Sequence, residues 1–151
     1  MLASSRRSVT LSIFLLYAVS VVAITVFPIE ARPPEARWDV PWWIVVHWVP
    51  FRVEAWSFVL NVVMFVPLGF LLPLLWRGAG SVRRTAAVSF TASAAIELVQ
   101  LALWLTLGNF RTVDVNDLIA NTAGGLAGLV LLRAVVPGAA ERERITTRST
   151  P

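Results

Sequence analysis

Glu97 and Gln100 sit inside an apolar run at 85–107, and Asn121 sits early in another at 118–136. The short connection between the runs carries Arg111, Asp114 and Asp117. In hydrocarbon an unpartnered polar group costs several kcal/mol, and a central charge costs at least ~2.5–3.5 kcal/mol on insertion scales. Residue types this expensive point to recognition, proton transfer or ion binding. A carboxylate held away from water serves as general acid or base, an arginine meets phosphate or carboxylate, and amides fix orientation. Two neighbouring carboxylates such as Asp114 and Asp117 also suit a hard cation such as Mg²⁺, although no cofactor is expected here.

Composition sets the solvent in which these residues work. The chain has 151 residues, 57% of them hydrophobic and only 15% charged, with a mean hydropathy of +0.72. Those values place it among membrane proteins. It has no cysteine and one histidine, His47, which excludes disulfides, thiolate sites and a multi-histidine metal site within one chain. All 13 basic residues are arginine, so no phosphate-loop or Schiff-base lysine exists. The net charge of +4 does not mark a nucleic-acid protein, because the arginines flank apolar runs and form no basic stripe with aromatics.

Four spans are expected, at about 9–29, 56–76, 85–107 and 118–136. The first follows Arg6 and Arg7, is long for a signal-peptide core and lacks a good cleavage site before position 31, so it reads as a retained helix. The second begins and ends on tryptophan and contains Pro67, Gly69 and Pro73. Arginine counts orient the spans. One side receives Arg6, Arg7, Arg77, Arg83, Arg84, Arg133, Arg142, Arg144 and Arg148; the other receives Arg32, Arg37, Arg52 and Arg111. The richer side is cytoplasmic by the positive-inside rule, which puts both termini in the cytoplasm. The expected fold is therefore all-α, a bundle of four transmembrane helices forming one domain over 1–136. The outer connection at 28–55 holds Trp42, Trp43 and Trp48 and reads as an interfacial segment with its indoles at headgroup depth. The tail at 137–151 reads as polar, cytoplasmic and disordered.

At ~1.5 Å per helical residue, Asn61, Gln100, Glu97 and Asn121 lie about 7, 10, 15 and 5 Å below the outer ends of their spans. All four occupy the outer half, with Glu97 near the midplane, while the inner half reads as sealed by leucine, valine and glycine. Glu97 and Gln100 are spaced i, i+3 and share a face. Asp114, Asp117, Asn121, Gly124 and Gly128 follow a 3,4,3,4 spacing along one helical seam. Gly124 and Gly128 let another backbone approach closely, which supports either bundle packing or a homo-oligomer. A Glu–Gln–Asn network also serves simply to lock helices together, each interhelical contact contributing about 0.6–2 kcal/mol. Arg111, Asp114 and Asp117 likewise read as an exposed ion-pair set and helix cap. His47 has no identifiable partner and reads as an interfacial histidine.

The stretch from Asn61 to Pro73, N-x-x-x-F-x-P-L-G-F-x-x-P, resembles a signature of VanZ-like membrane proteins. A second stretch follows in the order of that family: Glu97-Leu98-Val99-Gln100, then Arg111-Thr112-Val113-Asp114-Val115-Asn116-Asp117, then Asn121-Thr122-Ala123-Gly124 through Gly128. Residue by residue, the matching positions are Asn61, Pro67, Gly69, Glu97, Gln100, Arg111, Asp114, Asp117, Asn121 and Gly124. The resemblance implies a multi-pass protein of the bacterial plasma membrane and cell envelope, in a family named for low-level resistance to the glycopeptide teicoplanin. It carries no specific reaction.

Three functions are open to this residue set. The first is binding: Asn61, Glu97, Gln100, Arg111, Asp114, Asp117 and Asn121 would line an outward-facing polar pocket for an envelope lipid, a lipid-linked cell-wall precursor or a glycopeptide. The second is a membrane-embedded enzyme with Glu97 as general acid or base on a lipid-linked substrate. The third is a small transporter or channel, for which Glu97 near the midplane is the argument.

Overall fold

The computed structural model describes residues 2–29, 32–33, 41–52, 54–109 and 113–136. Four helices, α1 (Leu2–Val26), α2 (Ala55–Leu75), α3 (Val82–Leu107) and α4 (Val115–Val135), are each long and apolar enough to cross a membrane. The chain runs up and down, so α1 and α3 point one way and α2 and α4 the other. Arg111 and the 137–151 tail lie outside the described residues.

The helix ends follow from local chemistry. α1 starts earlier than the apolar run because Arg6 and Arg7 are good helix formers, and it stops just before Phe27-Pro28. α3 starts at Val82 because the Ser81 hydroxyl accepts a hydrogen bond from the Arg84 amide (3.2 Å). It ends at Gly108, whose φ of 68° is a left-handed conformation that glycine adopts without a side-chain clash. α4 is capped by Asp114, whose side chain accepts from the Asn116 amide (2.8 Å). α2 is helical throughout despite Pro67 and Pro73.

The fold is not purely helical. A two-stranded parallel ladder pairs β1 (Val46–His47) with β2 (Val113–Asp114), in the register Val46↔Val113 and His47↔Asp114. Residues Trp42–Ile44 form a single 3₁₀ turn ahead of β1. The tryptophan-rich connection is thereby fastened to the start of α4.

Packing is inverted relative to a soluble bundle. Leu16 (71% exposed), Val63 and Leu98 face outward, while Thr85, Ser89, Ser93, Asn116 and Asn121 are buried with Phe65, Ala120 and Leu129. Lipid gives no hydrophobic drive for helix association, so small and polar residues bring the helices together. The closest approach is between α2 and α4. A Cβ at Gly124 would meet the Val62 carbonyl, one at Gly128 the Val66 carbonyl, and one at Gly69 the Gly125 carbonyl. Gly124 and Gly128 thus face α2 of the same chain. The half expected to be sealed by leucine, valine and glycine also carries a polar stripe on α3, with Thr85 and Ser89 fully buried. Thr85 donates to the Ala79 carbonyl (2.9 Å), and Arg133 reaches the Gly80 carbonyl (2.9 Å).

Gly69→Ala places a methyl group on backbone that has no alternative position, an overpacking that costs typically 1–3 kcal/mol. Its thermal unfolding midpoint in detergent is expected to fall clearly, whereas Ala127→Leu, on the exposed face of α4, is expected to leave the midpoint nearly unchanged.

Candidate functional site

Side chains from three helices and one connection meet where α4 begins. Glu97, 5% exposed, projects from α3, and its Oε2 accepts a hydrogen bond from the Asp114 amide (3.0 Å). That amide belongs to the set of helix-start donors that lack intrahelical partners. Asn61 on α2 donates through Nδ2 to Asp117 Oδ1 (2.5 Å) on the first turn of α4. Asn121, one turn further, donates through Nδ2 to Ser93 Oγ (2.8 Å), and Ser93 donates to the Asp117 carbonyl (3.4 Å). Asn61, Glu97, Asp114, Asp117 and Asn121 therefore come together. Three carboxylates gather around one helix N-terminus, whose partial positive charge favours them there.

Gln100 belongs elsewhere: its Nε2 donates to the Thr25 carbonyl of α1 (3.0 Å). It ties α1 to α3 instead of completing the cluster. The depth of Glu97 also reads differently in three dimensions. Counted down α3 it is ten residues from the end, but α4 starts beside it, so the carboxylate lies at the first turn of α4 and not at mid-height of that helix.

Ser93 and two further residues of the cluster escaped the sequence reading. Asn116, fully buried, accepts at Oδ1 from the Phe51 amide (2.6 Å) and donates from Nδ2 to Asp114 Oδ1 (2.7 Å) and the Val49 carbonyl (3.3 Å). It bolts the tryptophan connection to α4. Phe51 has a φ of 62°, uncommon for a bulky residue, and Asn116 holds its amide in place. The second is His47. The ladder register sets it beside Asp114, and its Nδ1 lies 3.5 Å from Asp114 Oδ2. The expectation that it lacks a partner is corrected: the partner is 67 positions away and reached only through strand pairing. An aspartate or asparagine near a helix start was the available signal for Asn116; no local signal pointed to His47.

Among the described residues, no three His, Asp or Glu side chains converge as a bound metal ion would require. Asp114 is engaged by Asn116 and His47, and Asp117 by Asn61, so the two carboxylates that suited a cation point to separate partners. The most evident surface groove, lined by Ala87, Val88, Thr91, Ala92 and Ala95, lies on a different face of α3 and is apolar. It has no part in this chemistry.

Asn116→Ala removes the partner of the Phe51 amide and the Val49 carbonyl, at about 0.5–1.5 kcal/mol for each hydrogen bond lost. Amide exchange at 46–51 is expected to quicken at least tenfold, while exchange within α2 and α4 stays slow.

No curated protein and no solved structure shows a match to this chain. A family model does: VanZ/LLP1 matches residues 14–136, a stretch that takes in the second half of α1, all of α2, α3 and α4, the ladder and every residue of the cluster. With four helices of membrane-crossing length and composition, the chain is a multi-pass membrane protein that belongs to the VanZ/LLP1 family.

Proposed function

We propose that this protein binds an amphiphilic ligand of the bacterial envelope, with its polar group at the start of α4 and its chain in the surrounding lipid. The ligand class is a membrane lipid or a lipid-linked cell-wall component. A lipophilic glycopeptide antibiotic fits the same description, which would make resistance of the teicoplanin type an accessory role. The protein then sits in the bacterial plasma membrane with both termini cytoplasmic and the His47 end outward.

The observation that supports this reading is the convergence of Asn61, Glu97, Asp114 and Asp117 from three helices beneath a surface carrying Trp42, Trp43 and Trp48. Ligand sites pair apolar and aromatic walls with a few placed polar groups. Indole rings belong at headgroup depth, so a headgroup ligand meets both at once. Binding is favoured over catalysis because Glu97 is occupied as an acceptor for the Asp114 amide, a role that glutamine also fills. Arg111, three residues before Asp114, supplies charge-assisted donors for an oxygen of the ligand's polar group.

Native mass spectrometry of the protein released from membranes tests the proposal. Wild type is expected to retain one lipid-class ligand per chain. Arg111→Ala should weaken retention about tenfold, the size of one charge-assisted hydrogen bond, and Glu97→Gln should weaken it less than threefold. Conversion of the ligand headgroup by wild type but not by Glu97→Gln would replace binding with catalysis.

A further inference from the structure

His47 and Asp114 form a pair that the cluster's packing does not require. The His47 side chain is 54% exposed, whereas that of Asp114 is 14% exposed. Asp114 Oδ1 accepts from both the amide and the side chain of Asn116, which leaves Oδ2 for His47 Nδ1. With Nδ1 turned toward the Asp114 carboxylate, the imidazole leaves Nε2 as the nitrogen a ligand meets. The strand register fixes both residues on one side of the ladder, so the pair is oriented by backbone and not by side-chain preference.

The connection that carries this imidazole also carries an aromatic cluster. Trp42 packs edge-on against Trp43 (5.9 Å between centroids) and Trp48 (6.4 Å), and Trp48 Nε1 donates to the Trp43 carbonyl (3.2 Å). The three rings remain about half exposed. Behind the imidazole lie the carboxylates of Glu97, Asp114 and Asp117. Acceptor groups backed by acid disfavour a bare anionic headgroup and favour one rich in hydroxyl donors. Exposed indole faces offer an apolar platform to the C–H face of a pyranose ring.

Building on the proposed binding role, we infer that His47, oriented by Asp114, and the Trp42–Trp43–Trp48 cluster recognise a neutral, hydroxyl-rich headgroup, that of a glycosylated membrane lipid. His47 Nε2 accepts a ligand hydroxyl, Trp42 stacks on the sugar face, and Asp114 is a positioning residue. The acyl chains stay in the bilayer alongside the bundle.

The test uses the full chain in phosphatidylcholine nanodiscs, titrated with monoglucosyl diacylglycerol, phosphatidylglycerol or free glucose, and read by indole fluorescence and native mass spectrometry. The glucosyl lipid is expected to bind at least tenfold more tightly than either comparison. His47→Leu should weaken it about tenfold, and Trp42→Leu, which keeps an apolar side chain at the surface, should weaken it similarly. His47→Gln, which keeps a hydrogen-bonding group near the position of Nε2, should recover most of the loss. Asp114→Asn preserves the helix cap and should weaken binding three- to tenfold without lowering the unfolding midpoint. Equal affinity for phosphatidylglycerol overturns the neutral-sugar assignment, and equal affinity for free glucose overturns the lipid as its carrier. Wild-type affinity in His47→Leu overturns the role of the pair. If that last result comes with Arg111→Ala still weakening lipid retention, the binding role stands and this inference alone falls. If wild type retains no lipid of any kind, both fall.

Discussion

α4 begins beside the middle of α3, not beside its end. From Glu97 to Leu107, α3 continues for ten further residues, about 15 Å of rise, past the point where α4 starts. A helix start placed there has amide donors with little water to satisfy them. Glu97 supplies the acceptor for the Asp114 amide, Asp114 caps the next turn, and Asp117 lies in the first turn. A hydrogen bond to a charged group contributes about 1.5–3 kcal/mol, and the helix dipole adds about 0.3–1 kcal/mol. Together these are comparable with the ~2.5–3.5 kcal/mol insertion cost of a central carboxylate. The carboxylate and the deep helix start thus offset much of each other's cost.

The cluster also depends on how closely α2 approaches α4. Asparagine is short, and Asn61 reaches Asp117 only because the two backbones nearly touch along Gly124 and Gly128. Ser89 plays the corresponding part between α3 and α4, where its hydroxyl occupies the space a Cβ on Gly125 would need. Small residues one to three turns away therefore set the distances at which the polar side chains meet. A substitution at those glycines acts on the site through spacing, since a Cβ there comes closest to backbone or Ser89 and meets none of the cluster's carboxylates and amides.

The four spans were legible because long uncharged runs admit one reading in a membrane, and the structure places their ends within a few residues except at the arginine-led start of α1. Glu97, Asp114, Asp117, Asn61 and Asn121 were legible because such residues are expensive among apolar neighbours. Gln100 illustrates the limit: spacing put it on the Glu97 face, yet its amide turns to α1, a choice set by tertiary packing. Ser93 was hidden by company. Thr10, Ser20, Thr25, Thr106 and Thr122 all bond the carbonyl four residues earlier, the ordinary habit of hydroxyls in helices, and nothing in the sequence separates Ser93 from them. His47 was hidden by distance, since a two-residue ladder has no periodicity to read.

The two ends of the bundle use polar groups differently, and the contrast bears on the proposed function. At the Arg133 end, Thr85 and Arg133 are bound to backbone carbonyls of the turn between α2 and α3. Those bonds satisfy a connection and hold it down, a structural task complete in itself. At the α4 start, side chains bond to one another across helices, and the set ends in an imidazole that is more exposed than buried. A network built only for stability gains nothing from leading a buried carboxylate cluster to the surface, where water competes for every bond. The α4 start does lead there, through strand pairing that sets His47 of the tryptophan-bearing connection opposite Asp114. That connection to the surface, more than the presence of charge in the bundle, is what supports placing the proposed ligand at this end.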